Sequence, residues 1–438
     1  MQIILLSGRS GKRLWPLSNE IRSKQFIKIF RKEDGSFESM VQRVFRQLKS
    51  VDPEANLTIA TSKTQLSSIH NQLGDDVGVS IEPCRRDTFP AIAIASAYLR
   101  DIRHVDGKEA VVVCPVDPYV EGSYFETLKE ISAQVDKGEA NLVLMGIEPT
   151  YPSDKYGYII PKKAGEIGIV DRFVEKPDRQ AAKNYIENGA LWNGGVFGYR
   201  LDYLLAKAEE LLGGSSYRYL YDNYETLRKI SFDYAVVEKE PIIQYVRYEG
   251  EWKDIGTWNT LTEAMTEQVI GNGILDETCE NVHILNELDL PILAMGLKDV
   301  VISASPDGIL VSDKVQSGYI KQYVDQLSQE VKYAEKSWGE YRVLEVDQNS
   351  LTAQIVIKAG ASMSYHCHQH RDEVWTITAG TGSVLVDGME RKVFPGEVIA
   401  VNAGCRHTIR AETEMRLIEV QLGREISAYD KQKFELDE

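Results

Sequence analysis

The chain has 438 residues, more than one ordinary hydrophobic core organises, so two or three domains are expected. Its 43% hydrophobic and 26% charged residues, with no excess of Gly or Pro, are those of a folded globular protein. A formal net charge of -16 without any basic block excludes a nucleic-acid backbone as partner, yet permits a phosphorylated small molecule, which needs only a few local cations.

The five cysteines (Cys84, Cys114, Cys279, Cys367, Cys405) are scattered and form no CxxC pair, so neither a disulfide framework nor a zinc knuckle is expected. The opening run, Met1 to Leu6, reads as a first buried strand and not as a secretory signal. No stretch approaches the roughly 20 apolar residues of a membrane span. A cytoplasmic protein without a membrane partner is expected, and a homodimer is the expected assembly.

In chain order, apolar strands at 3–6, 57–60, 110–114, 141–147 and 195–199 alternate with helical stretches such as 90–103 and 124–137. That alternation predicts an α/β domain, a parallel sheet covered by helices on both faces, with ligands beyond the C-terminal ends of the strands. From about 272 to 330 short apolar runs (282–285, 292–295, 300–302, 308–311) return every 8 to 10 residues. This rhythm predicts a small β-solenoid-like unit followed by a helix over 318–327. From 337 onward strand and turn dominate, predicting a closed or double-sheet β domain. The expected domains are 1–265, 266–332 and 333–438.

The first strand runs into Leu6, Ser7, Gly8, Arg9, Ser10, Gly11, Lys12 and Arg13. Glycines at 8 and 11 let the backbone turn tightly and approach a phosphate without a Cβ in the way. Lys12, Arg13 and, further on, Lys24 supply positive charge. A strand, a glycine loop and following cations form a phosphate-binding pattern.

This segment, continuing Leu14-Trp15-Pro16-Leu17-Ser18 and Lys24-Gln25-Phe26, resembles the signature of mannose-1-phosphate guanylyltransferases, L-[AS]-G-G-S-G-T-R-L-W-P-L-S followed by P-K-Q-F. Later landmarks follow in family order: Glu82-Pro83, Arg86-Asp87-Thr88, Pro115-Val116-Asp117, Tyr156-Gly157-Tyr158, Glu175-Lys176-Pro177, Trp192-Asn193, Phe232-Asp233-Tyr234-Ala235 and Trp252-Lys253-Asp254. The resemblance implies a Rossmann-like nucleotidyltransferase domain. It implies transfer of a nucleotidyl group from a nucleoside triphosphate to a sugar-1-phosphate, releasing pyrophosphate. By the same resemblance Arg13 holds the leaving pyrophosphate, Lys24 lies beside the α-phosphate, and Asp117 and Asp254 hold Mg2+. Leu6 to Lys12 with Glu82, Arg86 and Asp87 line the nucleotide, while Gly157, Glu175, Lys176 and Asn193 contact the sugar phosphate. Read on its own, an aspartate at a strand end such as Asp117 or Asp254 is more often a helix cap or turn residue than a metal ligand, and Trp15 and Trp258 fit packing better than base stacking.

Four positions depart from the family pattern: Arg9 replaces a Gly, Lys12 a Thr, Asp87 an Asn and Pro118 a His. They cluster on the nucleotide side, so GTP is the expected substrate but another base or sugar remains open. A non-catalytic sugar-nucleotide-binding module is the alternative from another class.

The last domain carries Gly360-x5-His366-x-His368-x4-Glu373-x6-Gly380 and then Gly396-x5-Asn402-Ala403-Gly404-x2-His407, similar to the two cupin motifs. On a strand, His366 and His368 face one side because side chains alternate. With Glu373 and His407 they make a set suited to Zn2+, Fe2+, Mn2+ or Ni2+. Trp338-Gly339, Arg371 to Trp375 and Ile418 to Gln421 also resemble the type II phosphomannose isomerase fused to such transferases. That family has Gln at 366, His at 374 and an arginine-bearing tail; here stand His366, Val374 and Lys431-Gln432-Lys433-Phe434. The ligands are present, but no acid–base group or phosphate-binding arginine is evident.

Overall fold

The computed structural model describes residues 1–8, 12–19, 21–327, 331–424, 426–427 and 430–435. It separates into two compact units, Met1–Ser10 with Lys24–Thr266, and Gly11–Ser23 with Glu267–Glu438.

The first unit is built on a nine-stranded sheet. Strand Gln2–Leu6 lies third from one edge, parallel to Asn56–Ser62 on one side and Ala110–Pro115 on the other. Gly78–Glu82 extends this parallel half beyond Asn56–Ser62. The all-parallel expectation fails at Leu191–Arg200, which enters antiparallel between Ala110–Pro115 and Leu142–Ile147. Buried apolar runs look alike in either direction, so periodicity could not reveal the reversal. Helix Thr88–Asp101 is apolar almost all round and buried along most of its length, as a helix inside a core must be. Helix Gly122–Lys137 is amphipathic and ends on Gly138, whose φ of 71° is the left-handed conformation glycine adopts freely.

The second unit holds parallel rungs at Val269–Ile270, His283–Asn286 and Val300–Ser305, closed by antiparallel Gly308–Asp313. The turn-punctuated apolar runs thus become a short solenoid-like stack. The predicted helix over 318–327 is instead a 3-10 turn, Gln316–Tyr319, and a four-residue helix, Lys321–Val324. Two sheets of six and five strands then form the closed barrel around Trp375, Ile355, Ile357, Ile377, Val384, Ile409 and Leu417. Segment 11–23 packs into this unit: the Trp15 ring lies where a Cβ on Gly308 would sit, and Ser305 donates to the Pro16 carbonyl at 2.7 Å.

Candidate active site and metal centre

In the first unit, side chains converge at the C-terminal ends of the central strands. Leu6 closes the first strand, and Ser7 continues it by donating its N–H to the Ala60 carbonyl at 2.9 Å. Gln25 donates to the Ser7 carbonyl at 2.7 Å, fixing the start of the loop. Gly8 follows, where a Cβ would stand 3.1 Å from a Glu82 carboxylate oxygen. Arg9, Ser10 and Gly11 lie outside the described residues. Lys12 and Arg13 sit on a 3-10 turn of the second unit, Arg13 exposed and Lys12 paired with Asp325 at 3.0 Å.

Three predicted residues meet tightly. The Lys24 ammonium lies 3.1 Å from Asp117 and 3.9 Å from Asp254, and donates to the Ile255 carbonyl at 2.6 Å. Asp117 is buried at the bend between Ala110–Pro115 and Pro118–Val120; Asp254 ends the strand paired with the latter. Two carboxylates on adjoining strands, with one cation across them, form an oxygen-donor set of the kind a hard divalent ion accepts.

Glu82, Arg86 and Asp87 form a second group. Burial pushes the Glu82 carboxyl up to about 7, against the hydrogen bond from Tyr224 at 2.9 Å and the Arg85 charge. Arg86 donates to the Tyr224 carbonyl at 3.3 Å. Asp87, at φ 71°, caps helix Thr88–Asp101 by accepting from the Thr88 N–H.

Gly157, Glu175, Lys176 and Asn193 form the third. A Cβ on Gly157 would fall 2.5 Å from a Glu175 oxygen and 2.6 Å from the Phe173 ring, so only glycine leaves Glu175 its position. Glu175 pairs with Lys176 at 2.7 Å, and Lys176 holds φ 46°, a strained backbone for a residue with a side chain. Asn193 receives the Gly195 N–H and donates its amide to Asp233 at 2.8 Å. Asp233 had no role assigned from the sequence, although it stood among the motif landmarks.

In the barrel, His366, His368, Glu373 and His407 offer ligand atoms that all lie within 4.8 Å of one another, every residue buried. His366 faces His407 in register on neighbouring strands. Each imidazole Nδ1 meets a backbone carbonyl: Ser364 at 2.6 Å, Asp430 at 3.2 Å and Cys405 at 2.9 Å for His366, His368 and His407. A carbonyl can only accept, so Nδ1 carries the hydrogen and Nε2 presents a lone pair inward. Among the described residues His407 Nε2 has no hydrogen-bond partner, and it faces a Glu373 oxygen at 3.3 Å. Two facing lone pairs repel unless a cation lies between them, so the donor set fits a metal ion. Burial and nearby positive charge also push His366 down to about 3, keeping it neutral as a ligand must be. Arg371 lies 3.1 Å from Glu373 and donates to His368 Nε2 at 3.1 Å.

The fold brings two titratable side chains, given no role by the sequence, close to the ligand set. Glu419 is buried beside Glu373, and burial with that neighbouring charge pushes its carboxyl well above the usual carboxylate range. The tail strand Lys431–Lys433 pairs with the His366–His368 strand, placing Lys431 opposite His368. Burial and the nearby lysines 433 and 336 bring the Lys431 ammonium down to about 8, against the carboxylates of Glu419 and Glu373. Spacing alone could not find these groups, since they reach the ligands only through strand pairing.

A mixed sheet whose strand ends bring a lysine and two carboxylates together has the layout of an enzyme that handles a phosphorylated ligand with a divalent ion. Residues 2–269 match the family described as Nucleotidyl transferase, and residues 324–436 match Mannose-6-phosphate isomerase C-terminal. The chain belongs to the nucleotidyl transferase family and carries an isomerase-like cupin domain. Its relatives include mannose-1-phosphate guanylyltransferases: that of Klebsiella pneumoniae is 28% identical over 96% of this chain and 95% of its own length. The xanthan biosynthesis protein XanB of Xanthomonas campestris pv. campestris (strain B100) is 29% identical over 99% of this chain and 97% of its own. The crystal structure of a mannose-1-phosphate geranyltransferase from Thermus thermophilus has a TM-score of 0.61 at 27% identity, covering 75% of this chain and 99% of that one. No helix among the described residues is long and apolar enough to cross a membrane.

Proposed function

We propose that the chain joins GTP and mannose-1-phosphate to give GDP-mannose and pyrophosphate. The observation that carries this reading is the Lys24 ammonium held between Asp117 and Asp254 at the strand ends. A sugar-phosphate oxygen attacking an α-phosphorus needs little covalent help; it needs reactants held in line and charge neutralised. Lys24 supplies positive charge for the α-phosphate, and Arg13 for the departing pyrophosphate. Asp117 and Asp254 are the groups that would hold Mg2+, which when bound offsets phosphate charge. Leu6, Ser7, Gly8 and Glu82 form the described nucleotide wall, and Glu175, Lys176 and Asn193 the sugar-phosphate wall. The sequence relatives named above support both substrates. We also propose the division 1–265, 266–332 and 333–438 as functional segments.

A matrix of five nucleoside triphosphates against several hexose-1-phosphates, read by pyrophosphate release, tests this. GTP with mannose-1-phosphate should give the highest kcat/KM; another best pair would overturn the specificity. Asp117→Ala should lower kcat at least 100-fold, and unchanged turnover would remove Asp117 from the site.

A second activity, aldose–ketose interconversion of hexose-6-phosphates in the barrel, is favoured by Glu419 and Lys431. Both groups are buried close to the ligand set, Lys431 opposite His368 on the paired strand, where a proton donor and acceptor for a substrate carbon would have to stand. Conversion of fructose-6-phosphate by the Zn2+-, Co2+- or Mn2+-loaded protein tests it, and no turnover with any of them would reject it.

A further inference from the structure

The sugar-phosphate wall contains one more carboxylate, and the fold leaves it under-used. Asp233 lies in the four-residue helix Phe232–Ala235. The helix is held rigidly: Phe232 is fully buried against Phe197, with ring centroids 4.5 Å apart, and its N–H donates to the Thr88 hydroxyl at 2.8 Å. Ser231 caps the turn by accepting from the Tyr234 N–H. Asp233 is therefore presented from a fixed support and not from a swinging loop.

Its surroundings are the second observation. Lys176 is the nearby cation, and its ammonium is already bonded to Glu175 at 2.7 Å. Among the described residues Asp233 keeps one hydrogen bond to another residue, from the Asn193 amide. Burial and the Glu175 charge push its carboxyl up to about 7, against the weaker pull of Lys176 and Asn193. A crowded carboxylate of this kind costs the fold stability, so its place beside the sugar wall points to a ligand. Glu175, bonded to the Lys176 ammonium, and Asp233, bonded to the Asn193 amide, thus set two carboxylates on neighbouring residues of the same wall. A row of acceptors with a single ammonium matches the donors of a polyol carrying one phosphate.

We propose that Asp233 is a sugar-binding residue: its carboxylate, aimed by Asn193, accepts a hydrogen bond from one ring hydroxyl of the sugar-1-phosphate and so selects among hexoses. This deepens the reading of Glu175, Lys176 and Asn193 as the sugar wall, and rests on it. The test is steady-state kinetics of Asp233→Asn and Asp233→Ala with GTP and mannose-1-phosphate or its 2-, 3-, 4- and 6-deoxy analogues. Glu175→Gln and Lys176→Gln are measured in parallel. Loss of a hydrogen bond to a charged acceptor should raise KM for the sugar phosphate roughly 10- to 100-fold, with KM for GTP within about 2-fold. One deoxy analogue should be discriminated by the parent and not by Asp233→Asn. Asp233→Asn keeps the side-chain shape should the alanine variant fail to fold. If Glu175→Gln and Lys176→Gln shift the sugar KM while Asp233→Asn leaves it unchanged, the inference fails and the wall stands. If none of the three moves it, the wall itself is misplaced. Equal rises in both KM values, or unchanged discrimination across the analogues, would reduce Asp233 to a structural support.

Discussion

Glu82 is a carboxyl that the apo protein prefers to keep protonated. Its proton affinity is raised to about 7, whereas the unfolded chain releases the same proton near 4.5. Between those values the native state binds more protons than the unfolded state, so stability falls as pH rises through this window. The full span corresponds to roughly 3 kcal/mol for a buried group. Glu82→Gln removes that slope. Urea unfolding of the ligand-free protein at pH 5 and pH 8 should show the variant gaining up to roughly 3 kcal/mol on the parent between the two pH values. A parallel pair of curves would mean that Glu82 ionises in the folded state as freely as in water.

At the level of elements, the barrel's tail strand matters most. Lys431–Lys433 pairs with the strand carrying His366 and His368, and the preceding Asp430 carbonyl holds the His368 ring. Partners of this kind fix the orientation of a ligand imidazole, and losing them typically costs 10- to 100-fold in metal affinity. Deleting residues 430–438 should therefore weaken Zn2+ binding by about that factor, read by competition with a chromophoric chelator. Unchanged affinity would show that strands His366–His368 and His407–Ala411 suffice. The same strand explains what was legible in the sequence. His366, His368, Glu373 and His407 could be read because alternation along a strand is local. Lys24, Asp117 and Asp254 followed from motif order. Lys431, Glu419 and Asp233 could not be read, because each reaches its site through pairing or packing across more than 30 residues of chain. The antiparallel entry of Leu191–Arg200 was hidden for a similar reason: strand direction is set by the connection, and a buried apolar run carries no arrow.

The whole molecule has separate apolar cores, one around the helix Thr88–Asp101 and one inside the barrel around Trp375. Cores that share no side chains tend to melt as separate cooperative units. Calorimetry of the Zn2+-loaded protein should show two transitions, with a chelator lowering the midpoint of one and leaving the other in place; a metal bound only to the native state stabilises only the unit that holds it. One transition that shifts as a whole would mean that the cores unfold together.

Segment 11–23 carries a consequence for where this chain can be cut. The family match to the transferase ends at residue 269. Yet Trp15 packs on Gly308, Asn19 donates to Asp307 at 2.6 Å and Arg22 pairs with Glu287 at 2.8 Å. A gene fragment stopping at the end of the match would leave the signature loop's own anchors unclothed, with an indole and a half-buried guanidinium facing water. The segment after the first strand is thus folded with the solenoid and not with the sheet it follows in sequence, so a boundary drawn at residue 269 cuts through one packed unit.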